Sequence, residues 1–186
     1  MKTLLTIALF LLTLRTTQAQ TLAGLPVDST TKKITYIGVV PVANATKEEL
    51  YARAQEWVAK SFKDLTPVSN QVANLIVVKP QIRSSWGITT KIEDVVGFAL
   101  TITVKDGRYR YELTNVVCEV PATAINGRIN PAQTVSYEDI FTNRAGYDKR
   151  GQPQPFLLDR MTSVNSSLRQ VIFSLQQAEK STTKDW

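Results

Sequence analysis

Leu100-Thr101-Ile102-Thr103-Val104-Lys105-Asp106-Gly107-Arg108-Tyr109-Arg110-Tyr111-Glu112-Leu113 reads as two alternating arms around a two-residue turn. Asp-Gly is a preferred pair for a type I′ hairpin turn, because both positions tolerate a positive φ. Closing the chain there sets Val104 against Tyr109, Ile102 against Tyr111 and Leu100 against Leu113 on one face. Thr103 then faces Arg110, and Thr101 faces Glu112, on the other. A slip of one residue would turn the apolar row out to water, so turn chemistry and hydrophobic pattern specify the same register. Apolar cross-strand pairs of this kind each add roughly 0.2–1 kcal/mol. Val116 to Val120 extends the second arm, and Pro121 ends it.

Working back from the hairpin, Leu75 to Val78 is strongly β-forming, and Thr66 to Gln71 has room for a short strand. Residues 79–91 continue loosely, with a bend at Trp86-Gly87. Upstream, Thr46-Lys47-Glu48-Glu49 has the form of a capping box. Behind it Leu50, Ala54, Trp57, Val58, Ser61 and Leu65 recur at spacings of three and four, widened by Tyr51 and Phe62. That pattern predicts an amphipathic helix of about 18 residues, closed by Pro67. Lys33 to Val42 is rich in β-branched residues and reads as a strand, placed at an edge or an end by Pro41. Residues 20–31 are a polar lead-in.

Downstream, residues 122–155 are polar and rich in Gly, Pro, Asn and Gln, with one helical turn at Ser136 to Phe141. From Phe156 on, Leu157, Met161, Val164, Leu168, Val171/Ile172 and Leu175 mark a long amphipathic helix with a polar tail from Ser181 to Trp186. The order is strand, helix, about four strands, helix. It predicts an α+β fold, a single mostly antiparallel sheet packed by two amphipathic helices.

The first residues read as an address. Met1-Lys2-Thr3 is a short basic start, Leu4 to Leu14 is apolar, and a small-residue junction follows at Ala19. This is the layout of a secretory signal peptide spanning residues 1–19, with residues 20–186 as one mature domain. The apolar run is too short to span a bilayer, which takes about 20 helical residues. No Cys stands near the junction, so the expectation is a periplasmic or extracellular protein without a lipid anchor and without a membrane span.

Composition narrows the chemistry. The 186 residues include one Cys and no His, with a formal net charge of +6. Without His the commonest general base and the commonest metal ligand are missing, and one Cys builds neither an internal disulfide nor a thiolate zinc site. No catalytic residue, cofactor or metal is therefore expected. Two Ser-x-x-Lys matches, Ser29 to Lys32 and Ser181 to Lys184, lie in polar terminal stretches without companion motifs. Cys118 sits in a Val-Val-Cys-Glu-Val strand and reads as a buried, inert thiol. The adjacent carboxylates Glu93-Asp94 and Glu138-Asp139 do not converge on a strand or on a helix, and read as solvated surface.

Basic residues gather at Arg108 and Arg110 on the hairpin and at Arg144, Lys149 and Arg150 in the polar stretch. Arg110 shares the outer hairpin face with Thr101 and Thr103, and Trp86 is an aromatic near in sequence. These four are the candidate binding residues, for an unidentified small ligand or envelope protein.

Several strings carry a family resemblance: Leu25-Pro26-Val27-Asp28, Ile34-Thr35-Tyr36, Lys47-Glu48-Glu49-Leu50-Tyr51 with Ala54 and Trp57, and Lys105-Asp106-Gly107-Arg108-Tyr109-Arg110-Tyr111-Glu112. Over roughly residues 25–120 the chain resembles a domain of unknown function found in exported proteins of Gram-negative bacteria and described as TATA-binding-protein-like. The resemblance implies a β-α-β4-α order and no catalytic residue that transfers. A fold label does not bring DNA binding with it, and nucleic acid is not an expected partner of an exported chain. The functional expectation is a non-catalytic binding or interaction domain of the cell envelope. The alternative is a hydrolase-type enzyme whose carboxylates, Ser or Tyr are gathered from distant segments.

Overall fold

Two long strands joined at the predicted Asp106-Gly107 position dominate a computed structural model that describes residues 21–180 apart from 23, 64, 66, 71–73, 88 and 126–127. The signal-peptide reading of residues 1–19 and the Ser181 to Lys184 pair lie outside the described residues. In chain order, β1 (Thr21–Leu22), β2 (Leu25–Pro26) and β3 (Tyr36–Pro41) precede helix α1 (Lys47–Ser61). Strands β4 (Val68–Asn70), β5 (Leu75–Val78), β6 (Gln81–Trp86), β7 (Ile92–Lys105) and β8 (Arg108–Val120) follow. Then come β9 (Thr123–Ile125), β10 (Arg128–Asn130), β11 (Gln133–Ser136), the short helix α2 (Tyr137–Thr142), a 3-10 turn (Arg144–Gly146) and α3 (Pro155–Lys180).

β7 and β8 pair in the expected register, from Lys105↔Arg108 through Val104↔Tyr109, Ile102↔Tyr111 and Leu100↔Leu113 to Ala99↔Thr114. The turn itself differs from expectation. Positive φ is confined to Gly107 (+71°), so it is not type I′. The reason is a tertiary contact: Asp106 Oδ1 accepts the Lys47 N–H at 2.9 Å, at the first turn of α1. Gly107 donates to the Ala45 carbonyl and accepts from the Val42 N–H, each at 2.9 Å. The hairpin tip is thus moulded onto the β3–α1 connection rather than closing freely.

Beyond Ala99 the ladder shifts by one, so that Gly97 meets Val117. The extra residue lies on β8, where Asn115 takes φ +53°. A left-handed residue of this kind suits a β-bulge, and Asn tolerates it better than most. The bulge divides the sheet into two halves. On one edge of the central pair, β5 lies beside the tip half of β7 and β6 beside the far half, with β4 outside β5. On the other edge, β3 and β11 lie along β8 in the same way. Every pairing is antiparallel.

Even-numbered β7 residues from Val96 to Val104 are buried against the helices in one continuous apolar cluster. α1 contributes Leu50, Tyr51, Ala54, Trp57 and Val58, and α3 contributes Leu157, Met161, Val164, Leu168, Ile172 and Leu175. The α3 stripe is the one the spacing predicts, and the α1 stripe follows its predicted spacing from Leu50 to Val58. The capping box forms as read, Thr46 Oγ1 accepting from Glu49 N at 3.2 Å while Glu49 Oε2 accepts from Thr46 N at 3.0 Å. Tyr109 and Leu113 are fully buried, whereas Tyr111 is half-buried because its ring lies across Gly38 on β3. A methyl at Gly38 would sit 2.6 Å from the Tyr111 hydroxyl.

Two local expectations are corrected. α1 stops at Ser61, short of Ser61–Leu65 as a final turn, because Phe62 leaves helical geometry to pack edge-on against Trp57 and Phe98. Residues 81–86 form a regular strand, and Pro80 separates it from β5 while its carbonyl accepts the Phe98 N–H. The helical turn expected within 122–155 forms as α2, with Tyr137 and Phe141 fully buried, and the rest of the stretch adds the β9–β10 pair and β11. Ser136 caps α2 by accepting from Asp139 N at 3.0 Å.

Candidate functional site

All three helices pack on the inner face of the sheet, so the odd-numbered residues of β7 stand on an outer face. Two cross-strand rows cover its tip half. One runs Leu75–Thr103–Arg110–Val39, the other Val77–Thr101–Glu112–Ile37. Thr101, Thr103 and Arg110 are therefore brought together, as the hairpin register requires. Ile37 and Val39 flank them and are 55% and 59% exposed. Arg110 Nη2 donates to Glu112 Oε2 at 2.7 Å along the strand. A cavity of about 310 Å³ opens beside the tip, lined by Val39, Thr103, Lys105, Arg108, Tyr109 and Arg110.

Trp86 is not part of this group. It pairs with Ile92 at the opposite end of β7 and lies on the inner face, with the Arg160 guanidinium 5.0 Å from its ring centre. Its place in the chain suggested proximity that the length of β7, at roughly 3.3 Å per residue, rules out. Among the other basic residues, Arg144 lies in the 3-10 turn, and Lys149 and Arg150 are exposed in the turn after it.

At that far end a polar cluster ties α3 and α2 to the sheet. Asp94 is buried on the inner face, where Oδ2 accepts from Arg160 Nε at 2.6 Å and from the Tyr137 hydroxyl at 2.9 Å. Arg160 Nη2 lies 3.4 Å from Cys118 Sγ, and its guanidinium stacks 5.6 Å from the Tyr137 ring centre. Burial raises the Tyr137 hydroxyl, reinforced by the Asp94 charge, so it stays a donor. Burial also pushes the Cys118 thiol up, with Asp94 acting in the same direction. Asp94 is thus not solvated surface, as expected of the Glu93-Asp94 pair. Glu93 is, and pairs with Arg83. Glu138 is likewise engaged, accepting the Ile34 N–H at 2.7 Å.

Next to this cluster, Ser84, Ser163 and Ser167 join through their hydroxyls, Ser163 also donating to the Ser85 carbonyl at 2.5 Å. Each partner is another hydroxyl or a carbonyl, which offers no base to a Ser nucleophile. Ser29 and Lys32 are both exposed, in a turn organised by Asp28, whose Oδ1 accepts from Thr30 N and Thr31 N. Among the described residues no group of three or more His, Cys, Asp or Glu is placed to hold a metal ion.

The other end of the helix layer holds the most unusual group. Glu179 on α3 is fully buried, and neither carboxylate oxygen has a hydrogen-bond partner among the described residues. Burial pushes this carboxyl up to about 7, while the Arg53 charge pulls it down. Arg53 spends its Nη1 donor on the Glu179 backbone carbonyl at 2.8 Å. The Tyr109 hydroxyl is also buried with no hydrogen-bond partner among the described residues, and is raised by burial and then by the Glu179 charge. A cavity of about 760 Å³ lies at this end, walled by the β3–α1 connection, Arg53 and Lys180.

An antiparallel sheet of this topology, bare on one face and backed by helices on the other, defines a class of α+β domain with a TBP-like fold. Residues 36–119, from β3 to the penultimate residue of β8, match the family model of DUF4468, described as a domain of unknown function with TBP-like fold. The structure is similar to that of a TBP-like protein from Parabacteroides distasonis, with a TM-score of 0.61 at 19% identity over 81% of this chain and 94% of that one. It is also similar to a DUF4468 family protein from Bacteroides ovatus, with a TM-score of 0.57 at 13% identity over 83% of this chain and 90% of that one. Among curated proteins none matches the chain. No helix among the described residues is long and apolar enough to cross a membrane.

Proposed function

We propose that the chain is an exported, non-catalytic binding domain of the bacterial cell envelope, engaging a small ligand or partner protein through the outer face of its sheet. One observation carries this reading. Ile37 and Val39 stand more than half exposed beside Thr101, Thr103 and Arg110 on the face the helices leave uncovered. Exposed β-branched residues next to hydrogen-bonding groups are a combination that a contact surface uses. The leader-like layout of residues 1–19 supports export.

The test is native mass spectrometry of the chain purified from its natural host, with and without Thr103→Ala and Arg110→Ala. A retained small molecule or protein that both substitutions release supports the proposal. Retained material that neither substitution releases places binding elsewhere.

A further inference from the structure

Resting on that reading of the outer face, we infer that the cavity at the hairpin tip is a site for a low-molecular-weight oxyanion, a phosphate ester or carboxylate carrying a short apolar group. Three cations, Lys105, Arg108 and Arg110, line it within six residues of chain. Lys105 and Arg108 are direct cross-strand partners, an arrangement in which like charges repel. The carboxylates nearest in sequence do not relieve them. Glu112 is held by Arg110 at 2.7 Å, and Asp106 turns to the first backbone N–H of α1. Among the described residues no carboxylate lies within 4.0 Å of the Lys105 or Arg108 charge. Two uncompensated cations therefore line a cavity whose other lining residues are Arg110, Thr103, Val39 and Tyr109.

Those groups divide the recognition between them. The cations and the hydroxyl supply charge-assisted and neutral hydrogen bonds to an oxyanion, and Val39 supplies an apolar wall. About 310 Å³ is at the small end of the range for ligand pockets, which sets the size of the ligand. Asp106 has a part in the design, because its engagement with α1 removes the one carboxylate that the turn would otherwise offer to the cations.

The experiment is a titration of the isotopically labelled full chain with butyl phosphate and with butyrate, followed by amide chemical shifts, with butanol as the neutral control. Saturable shifts at Thr103, Lys105, Gly107 and Arg110 are expected from either anion and not from butanol. Lys105→Gln with Arg108→Gln should weaken binding roughly ten-fold or more. Both residues are exposed, so unchanged dispersion elsewhere in the spectrum verifies the fold. Lys60→Gln with Lys79→Gln, away from the tip, should change nothing. Phosphatidylglycerol vesicles separate a free ligand from a lipid headgroup. Hairpin signals that respond to vesicles alone would overturn the inference, as would no saturable shift, or equal weakening by the Lys60/Lys79 pair. If the hairpin is silent while host-derived material is still released by Thr103→Ala and Arg110→Ala, the oxyanion fails and the binding face stands.

Discussion

Arg160 Nε donates to Asp94 Oδ2 at 2.6 Å and so joins α3 to the inner face of β7, with both side chains largely withdrawn from water. Tyr137 donates to the same oxygen, which brings α2 into the junction. Removing one member of a buried pair leaves the other charge uncompensated, at a cost of about 3–5 kcal/mol. Asp94→Ala is expected to destabilise by about that amount in urea unfolding, orphaning both Arg160 and the Tyr137 hydroxyl. The double substitution Asp94→Leu with Arg160→Met should cost less than Asp94→Ala alone, because no buried charge is left over.

Glu179 gives the fold a pH dependence of unusual sign. Its ordinary value of 4.5 is raised by burial to about 7 in the folded chain. Between those values the folded chain holds a proton that the unfolded chain releases. Stability therefore falls as pH rises from 4.5 towards 7, by at most about 1.4 kcal/mol per unit, and levels off above. Denaturant midpoints measured across that window should show the decline. Glu179→Gln should flatten it and raise stability at pH 8.

Cys118 is buried and its thiol is held above the ordinary value, first by burial and then by the Asp94 carboxylate. The thiolate is the reactive form, so alkylation by iodoacetamide should be slow in the native chain and fast in urea. Asp94→Ala should accelerate it by opening the far end of the sheet.

Asp106 and Thr46 both satisfy N–H groups in the first turn of α1. Losing a cap typically costs about 0.5–2 kcal/mol. Asp106→Ala and Thr46→Ala should each destabilise by that order in urea unfolding. Asp106→Asn, which keeps an acceptor oxygen, should recover most of the loss.

Much of this was legible in the sequence, and the misses share a cause. The hairpin register, the capping box and both helix stripes are written in local spacing, and the structure bears them out. The same periodicities also ran through charged residues. Alternation from Val104 back through Leu100 and Val96 reaches Asp94, and the α3 spacing through Leu168 and Leu175 reaches Glu179. Reading a carboxylate as solvated by its type hid two buried groups that their positions place inside. Trp86 failed for the opposite reason, since sequence proximity says little at the far end of a 14-residue strand. The turn type was not legible at all, because the β3–α1 connection fixes it from outside.

Photo-crosslinking in the native host tests the binding face most directly. Val39 on the outer face and Phe173 on α3 are equally exposed, at 59% each, so a benzoylphenylalanine at either position meets solvent to the same degree. The account predicts a discrete crosslinked species from position 39 and none from position 173. A discrete product from position 173, with position 39 blank, would contradict it.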